Sequence, residues 1–163
     1  MLKPASLRAA LETALPELAA NPDRLILYID EGRIHSRYGD SLSFEYRYRL
    51  NLVLLDYAHH ASAALVPLLA WLRVNQPELG LNPDLADGAV TFEAEILNHS
   101  SMDFAIRLQL SERVIVTTNH DTGETTARHV GEPEFNPACG PWELIFVKPN
   151  TAPGWTTPSP TPA

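Results

Sequence analysis

Phe44-Glu45-Tyr46-Arg47-Tyr48-Arg49-Leu50-Asn51-Leu52-Val53-Leu54-Leu55 is the stretch that decides the fold. Phe44, Tyr46, Tyr48, Leu50, Leu52 and Leu54 fall in phase at period two, and Glu45, Arg47, Arg49 and Asn51 fall on the opposite phase. That alternation predicts a strand with one face on a core and the other in water. Its end, Leu52 to Leu55, is apolar on both phases and should lie deep in a sheet. Upstream, Leu25, Leu27 and Ile29 alternate with Ile26 and Tyr28, and Glu31-Gly32 offers a turn before a further run from Arg33 to Tyr38, so two more strands are expected there. Downstream, Val90, Phe92, Ala94 and Ile96 should point inward, Asn98 to Ser101 should turn the chain, and Phe104, Ile106, Leu108 and Leu110 should return it. Val114 and Val116 keep that phase beyond Glu112, and Glu124 to Val130 could add a short edge strand.

Two helical patterns flank these strands. Leu7, Leu11, Leu15 and Leu18 recur at helical spacing; Pro4 suits a first turn, and Pro16 should kink or end the helix. A second helix is expected from a Ser62 cap to about Asn75, with Leu65, Leu68, Leu69 and Leu72 as its stripe. Ala64, Ala70 and Trp71 make it apolar almost all round, which implies burial on more than one side, in the core or at a subunit contact. A loop from Gly80 to Gly88 leads into the later hairpin. The order is α-β-β-β-α-β-β: an α+β fold, a mainly antiparallel sheet packed by two helices. The domain is expected over residues 1–130. Eight of the fourteen prolines lie in 131–163, a Pro-rich C-terminal arm expected to be partly extended or disordered.

Composition narrows the function. Twelve Lys and Arg against twenty Asp and Glu give a formal charge of −8, which disfavours a protein whose main task is to grip phosphate backbones. A single cysteine provides neither an internal disulfide nor a cysteine metal framework. No stretch is long and apolar enough for a membrane span, and the N-terminal residues lack the apolar run of a signal peptide, so a soluble protein made in a cytoplasm is expected. Asp121-Thr122-Gly123 matches the aspartic-protease tripeptide, but its polar flanks suit an exposed turn. His59-His60 cannot share a helix face, and His35, His99, His120 and His129 are scattered without ligand spacing. Cys139, between Pro137 and Pro141, has only His129 as a formal base. No glycine-rich phosphate loop is present, and no cofactor, metal or catalytic centre is expected. Two features stand out instead. Glu45, Arg47 and Arg49 place opposite charges on one sheet face, either a solvated face or a charged subunit interface. Trp142 and Phe146 in the arm either pack back on the domain or anchor on another chain.

Four segments also carry a resemblance: Leu2-Lys3-Pro4-Ala5-Ser6-Leu7-Arg8-Ala9-Ala10-Leu11, Leu42 to Asn51, Val66-Pro67-Leu68-Leu69-Ala70-Trp71-Leu72-Arg73-Val74-Asn75-Gln76-Pro77, and Leu110-Ser111-Glu112-Arg113. In order and spacing, from Met1 to about Glu112, they resemble the tail completion protein R (GpR) family of contractile-tailed phages and prophages. The resemblance implies a tail-terminator-like virion structural protein, not an enzyme, made in the host bacterial cytoplasm. It would cap the head-proximal end of the tail tube, stop tube polymerisation and offer the surface for head joining. Its implied partners are copies of itself in a six-fold ring, the tube and sheath proteins and the head–tail connector, with DNA passing through the lumen unbound. The family's charged motif falls on Glu45, Arg47 and Asn51, and its helical motif on Trp71, Arg73, Asn75 and Gln76. The alternatives are another neck component or, further off, a small hydrolase. A domain this small cannot span a tube end alone, so a cap must be a closed ring. Glu45 and Arg47 are then expected to face a neighbouring subunit, the second helix to help seal the ring, and an acidic lumen to let DNA slide.

Overall fold

The Phe44–Leu55 alternation becomes the second strand of a five-stranded sheet. The computed structural model describes residues 1–133 except Tyr38, Asp40 and His99. In chain order its elements are α1 (Lys3–Ala14), α2 (Pro16–Ala20), a 3-10 turn (Pro22–Arg24), β1 (Leu25–Ser36), β2 (Phe44–Tyr57), α3 (Ala61–Asn75), α4 (Glu78–Leu81), α5 (Pro83–Ala86), β3 (Val90–Ile96), β4 (Met102–Thr118) and β5 (Thr125–Val130). The sheet order is β1-β2-β4-β3, with β5 also paired to β4, and every pairing is antiparallel. The fold is α+β, as the patterns require.

β4 is the spine. One edge pairs with β2 from Met102 to Val114; the other carries β3 along residues 102–108 and β5 along 113–118. Residues 109–112 therefore form a gap between two strands that share an edge. Helices cover the β2 end of the sheet. Leu7, Leu11 and Leu18 from α1 and α2, and Ala64, Leu68 and Leu72 from α3, pack on Leu25, Leu50, Leu52, Leu54, Phe104, Ile106 and Leu108. Each fully buried leucine contributes about 1.5–3 kcal/mol. Pro16 ends α1 and opens α2 as its first residue, where a missing N–H costs nothing.

The structure departs from the sequence patterns in four places. The segment from Leu25 to Ser36 is one strand, not two: Glu31 and Gly32 pair with Arg49 and Tyr48, and the register shifts between Ile29 and Glu31. That bulge adds one residue and exchanges the faces, so Leu25, Leu27 and Ile29 share a face with Gly32 and Ile34. The cap of α3 is His60, whose Nδ1 accepts from the Ser62 amide at 3.2 Å, rather than Ser62 itself. The expected Gly80–Gly88 loop contains α4 and α5, the latter opened by Pro83 and capped by Asn82 Oδ1 on the Asp84 amide at 3.0 Å. Finally, Phe92, Ala94 and Ile96 do share a face with Ile106, Phe104 and Met102, yet Phe92 and Ile96 are 63% and 79% exposed. The helices stop short of the β3 edge.

Candidate assembly surfaces

The gap in the β4 edge is filled by side chains, and the residues of the helical motif gather there. Gln109 donates its amide to the Ala89 carbonyl at 3.1 Å, the last rung of the β3 side. The next outward amide, Ser111, donates to Gln76 Oε1 at 3.2 Å. Gln76 Nε2 in turn donates to Ser111 Oγ at 3.0 Å and Glu78 Oε1 at 2.6 Å, and Lys3 Nζ donates to Gln76 Oε1 at 2.6 Å. One buried side-chain amide thus stands where a strand is missing. Trp71, also buried, donates its Nε1 to Ser6 Oγ at 3.1 Å, tying α3 to α1, and Asn75 Nδ2 donates to the Trp71 carbonyl at 2.9 Å. Arg73 is exposed on α3.

One residue beyond Ser111, Glu112 points to the helix side and is 5% exposed. Leu2, the N-cap of α1, has no acceptor side chain to offer, and Glu112 supplies it. Its Oε2 accepts from the Leu2 amide at 2.7 Å and its Oε1 from the Lys3 amide at 3.3 Å, while the Tyr48 hydroxyl donates to Oε1. A carboxylate at a helix N-terminus also meets the positive end of the helix dipole. Burial pushes the Glu112 carboxyl up, but the Tyr48 hydroxyl, the two amides and the α-amino charge outweigh it and hold the group below the usual carboxylate range. Burial, then the Glu112 hydrogen bond and charge, drive the Tyr48 phenol far above its ordinary value. The only sequence sign of this junction was a carboxylate standing in the apolar phase of β4.

The charged motif lies on the other face of the sheet. Arg47 Nε donates to Glu45 Oε2 at 2.9 Å, with the guanidinium 59% and the carboxylate 22% exposed. Arg49 pairs with Glu31 at 2.9 Å, and Arg107 grips Glu93 through both oxygens at 2.8 and 3.1 Å. Asn51 sits among these residues but is 3% exposed, and its Nδ2 has no partner. Of the candidate interface residues, then, Glu45, Arg47, Arg49 and Arg73 reach the surface and Asn75 is half-buried, whereas Asn51, Trp71 and Gln76 are internal to the fold. Trp142 and Phe146 lie outside the described residues, as do Cys139 and His99.

The third surface is apolar. α3 buries Ala64, Leu68, Trp71 and Leu72, while Val66, Leu69 and Val74 are 65%, 54% and 68% exposed. With exposed Ala70 between them, Val66 and Val74 recur at steps of four, and Leu69 lies three residues from Val66, so the outside of the helix carries a second stripe. Leu69, assigned to the core stripe from its spacing, belongs to this outer one. The helix is thus apolar on two sides and packed on one.

The remaining polar candidates have local roles. Asn119 Oδ1 accepts from the Asp121 and Thr122 amides at 2.9 and 3.3 Å, and Gly123 adopts φ 73°, so Asp121-Thr122-Gly123 is a tight turn. His59 Nε2 lies 2.7 Å from Glu17 Oε2, and His129 stacks on Tyr46. Among the described residues no group of three or more His, Cys, Asp or Glu could hold a metal ion, and no helix is long and apolar enough to cross a membrane.

The described residues thus form a small α+β fold with an outward apolar helix face and a charged sheet face. The profile of the P2 phage tail completion protein R (GpR) family matches residues 1–133, and the chain belongs to that family of virion structural proteins of the phage tail. It is similar to "Tail completion protein R" of Escherichia phage P2, at 41% identity over 147 residues, which are 90% of this chain and 94% of that protein. No solved structure matches it.

Proposed function

We propose that the protein completes the tail as a closed ring, six-fold like the tube, seated on the head-proximal end of the tail tube. There it stops tube polymerisation and presents the surface on which the head connector docks, without catalysis. The observation that supports this reading best is the outer stripe of α3 in a chain of the tail completion family. Val66, Leu69 and Val74 expose hydrocarbon that nothing among the described residues covers, and contiguous exposed apolar surface marks a contact with another chain. A ring of identical subunits needs two different surfaces per copy, one for each neighbour. Glu45 and Arg47 on the sheet face belong to one such surface, and the apolar α3 stripe helps seal the ring. The formal charge of −8 fits a lumen that repels DNA phosphates and lets the genome pass.

The test is genetic and visual. Particles made without the protein should carry tails of irregular length and no heads, and supplying the wild-type chain should restore uniform, headed tails. Labelled protein should mark the head-proximal tail end. Label on tailless heads would instead make it a head-side neck component.

A further inference from the structure

Charge is unevenly distributed over this chain. Residues 74–106, covering α4, α5, β3 and the start of β4, contain six carboxylates and neither Lys nor Arg. At the end of the sheet's charged face opposite β3 the cations collect, with α4 and α5 nearer to them, since Glu78, Leu79 and Leu85 line a groove with Arg33 and Arg47. Strand register places Arg33 beside Arg47, Glu45 beside both His35 and Arg113, and Arg128 beside Ile115. Arg37, Arg47 and Arg113 line a groove of about 690 Å³ with His35 and Glu45. Elsewhere in the described residues the basic side chains are engaged: Lys3, Arg8, Arg24, Arg49 and Arg107 each hold a carboxylate, and Arg73 has its own contact. Those without a side-chain partner among the described residues are Arg33, Arg37, Arg113 and Arg128, and all four lie at this end.

Resting on the ring reading, we propose that this basic end is the socket for the acidic β3 edge of the next copy, making the ring contact head-to-tail. The complementarity is internal to the chain: Arg107 already holds Glu93, but the carboxylates of Asp84, Asp87 and Glu95 hold no cation among the described residues, and the unpaired arginines match them. Apolar side chains favour a protein partner over a nucleic acid. Ile115, on the same face as Arg113 and Arg128, is 42% exposed at the basic end, and Phe92 and Ile96, 63% and 79% exposed, flank Glu93 and Glu95 on the other face of the β3 edge. A phosphate backbone would leave that hydrocarbon wet, whereas a second subunit would cover it. The two surfaces lie on different parts of the subunit, as a heterologous contact requires.

The experiment uses two full-length variants. Arg113→Glu with Arg128→Glu gives a chain acidic at both surfaces, and Glu95→Arg with Asp87→Arg gives one basic at both. All four side chains are exposed, and circular dichroism checks folding. Native mass, read alone and on tube ends, should show each variant as single chains, with at least a tenfold rise in the concentration needed for assembly. Their equimolar mixture should recover rings of strictly alternating composition. Wild-type rings with unimpaired variants, or variants that do not complement each other, would overturn this contact and leave the ring reading standing. A wild type that stays single-copy both alone and on tubes would overturn the ring reading itself. Loss of duplex DNA binding in Arg113→Glu with rings intact would reassign the patch to phosphate.

Discussion

Around Glu112 the chain buries charge, whereas along the outside of α3 it exposes hydrocarbon. The buried side holds a carboxylate with three donors and a side-chain amide with two donors and two acceptors in reach. Every bond there closes inside the subunit, so the cost of removing those groups from water is met locally. The exposed side has no such closure; Val66, Leu69 and Val74 each leave more than half of their surface in water. The two regions differ in what they do for the fold: the polar junction joins α1, α3 and β4, and the α3 stripe faces outward.

That division can be broken most sharply at Glu112. Glu112→Ala leaves the Tyr48 hydroxyl and the Leu2 and Lys3 amides without their acceptor, and urea unfolding should show a loss of about 3–5 kcal/mol. Gln76→Ala strands the Ser111 amide in the β4 gap and should cost about 1–3 kcal/mol by the same measurement. Acid sharpens the comparison. The Glu112 carboxyl titrates lower in the folded chain than in the unfolded one, so its contribution is fully present above the ordinary carboxylate value, near 4.3. It is lost as pH falls through the lower folded value, where the unfolded chain binds more protons. The stability difference between wild type and Glu112→Gln should therefore shrink as the solution is acidified below about pH 4.5, and a constant difference would refute it. Leu69→Asp tests the other region: unfolding should move by no more than about 0.5 kcal/mol, while tails fail to complete. Arg47→Ala removes an exposed pair and should change the stability of the folded chain by no more than about 0.5 kcal/mol in the same urea measurement.

Strand alternation made most of this fold legible. The phase of Phe44 to Leu54 and of Phe104 to Leu110 placed β2 and β4 and their buried faces, and the spacing of Leu7 and Leu11 placed α1. The misreadings share a cause. A bulge at Asp30 exchanges inward and outward residues without any break in composition, so Glu31-Gly32 reads as a turn. Phe92 and Ile96 alternate like core residues because the sheet face continues past the last helix, and periodicity reports the face but not what covers it. The site was less legible than the fold. Glu112 could have been noticed as a charge in an apolar phase, but its partners Leu2, Tyr48 and Lys3 are distant in sequence. Nothing in one stretch of chain announces a bond spanning 110 positions.

That distance has a consequence for how the subunit is born. α1 is made early, yet its opening turn has no acceptor until β4, over a hundred residues later, has emerged and paired with β2. Contacts so far apart close slowly. A twelve-residue helix alone is marginal in water, so the α1 segment stays unlocked while the sheet assembles behind it, and residues synthesised before the sheet are locked after it.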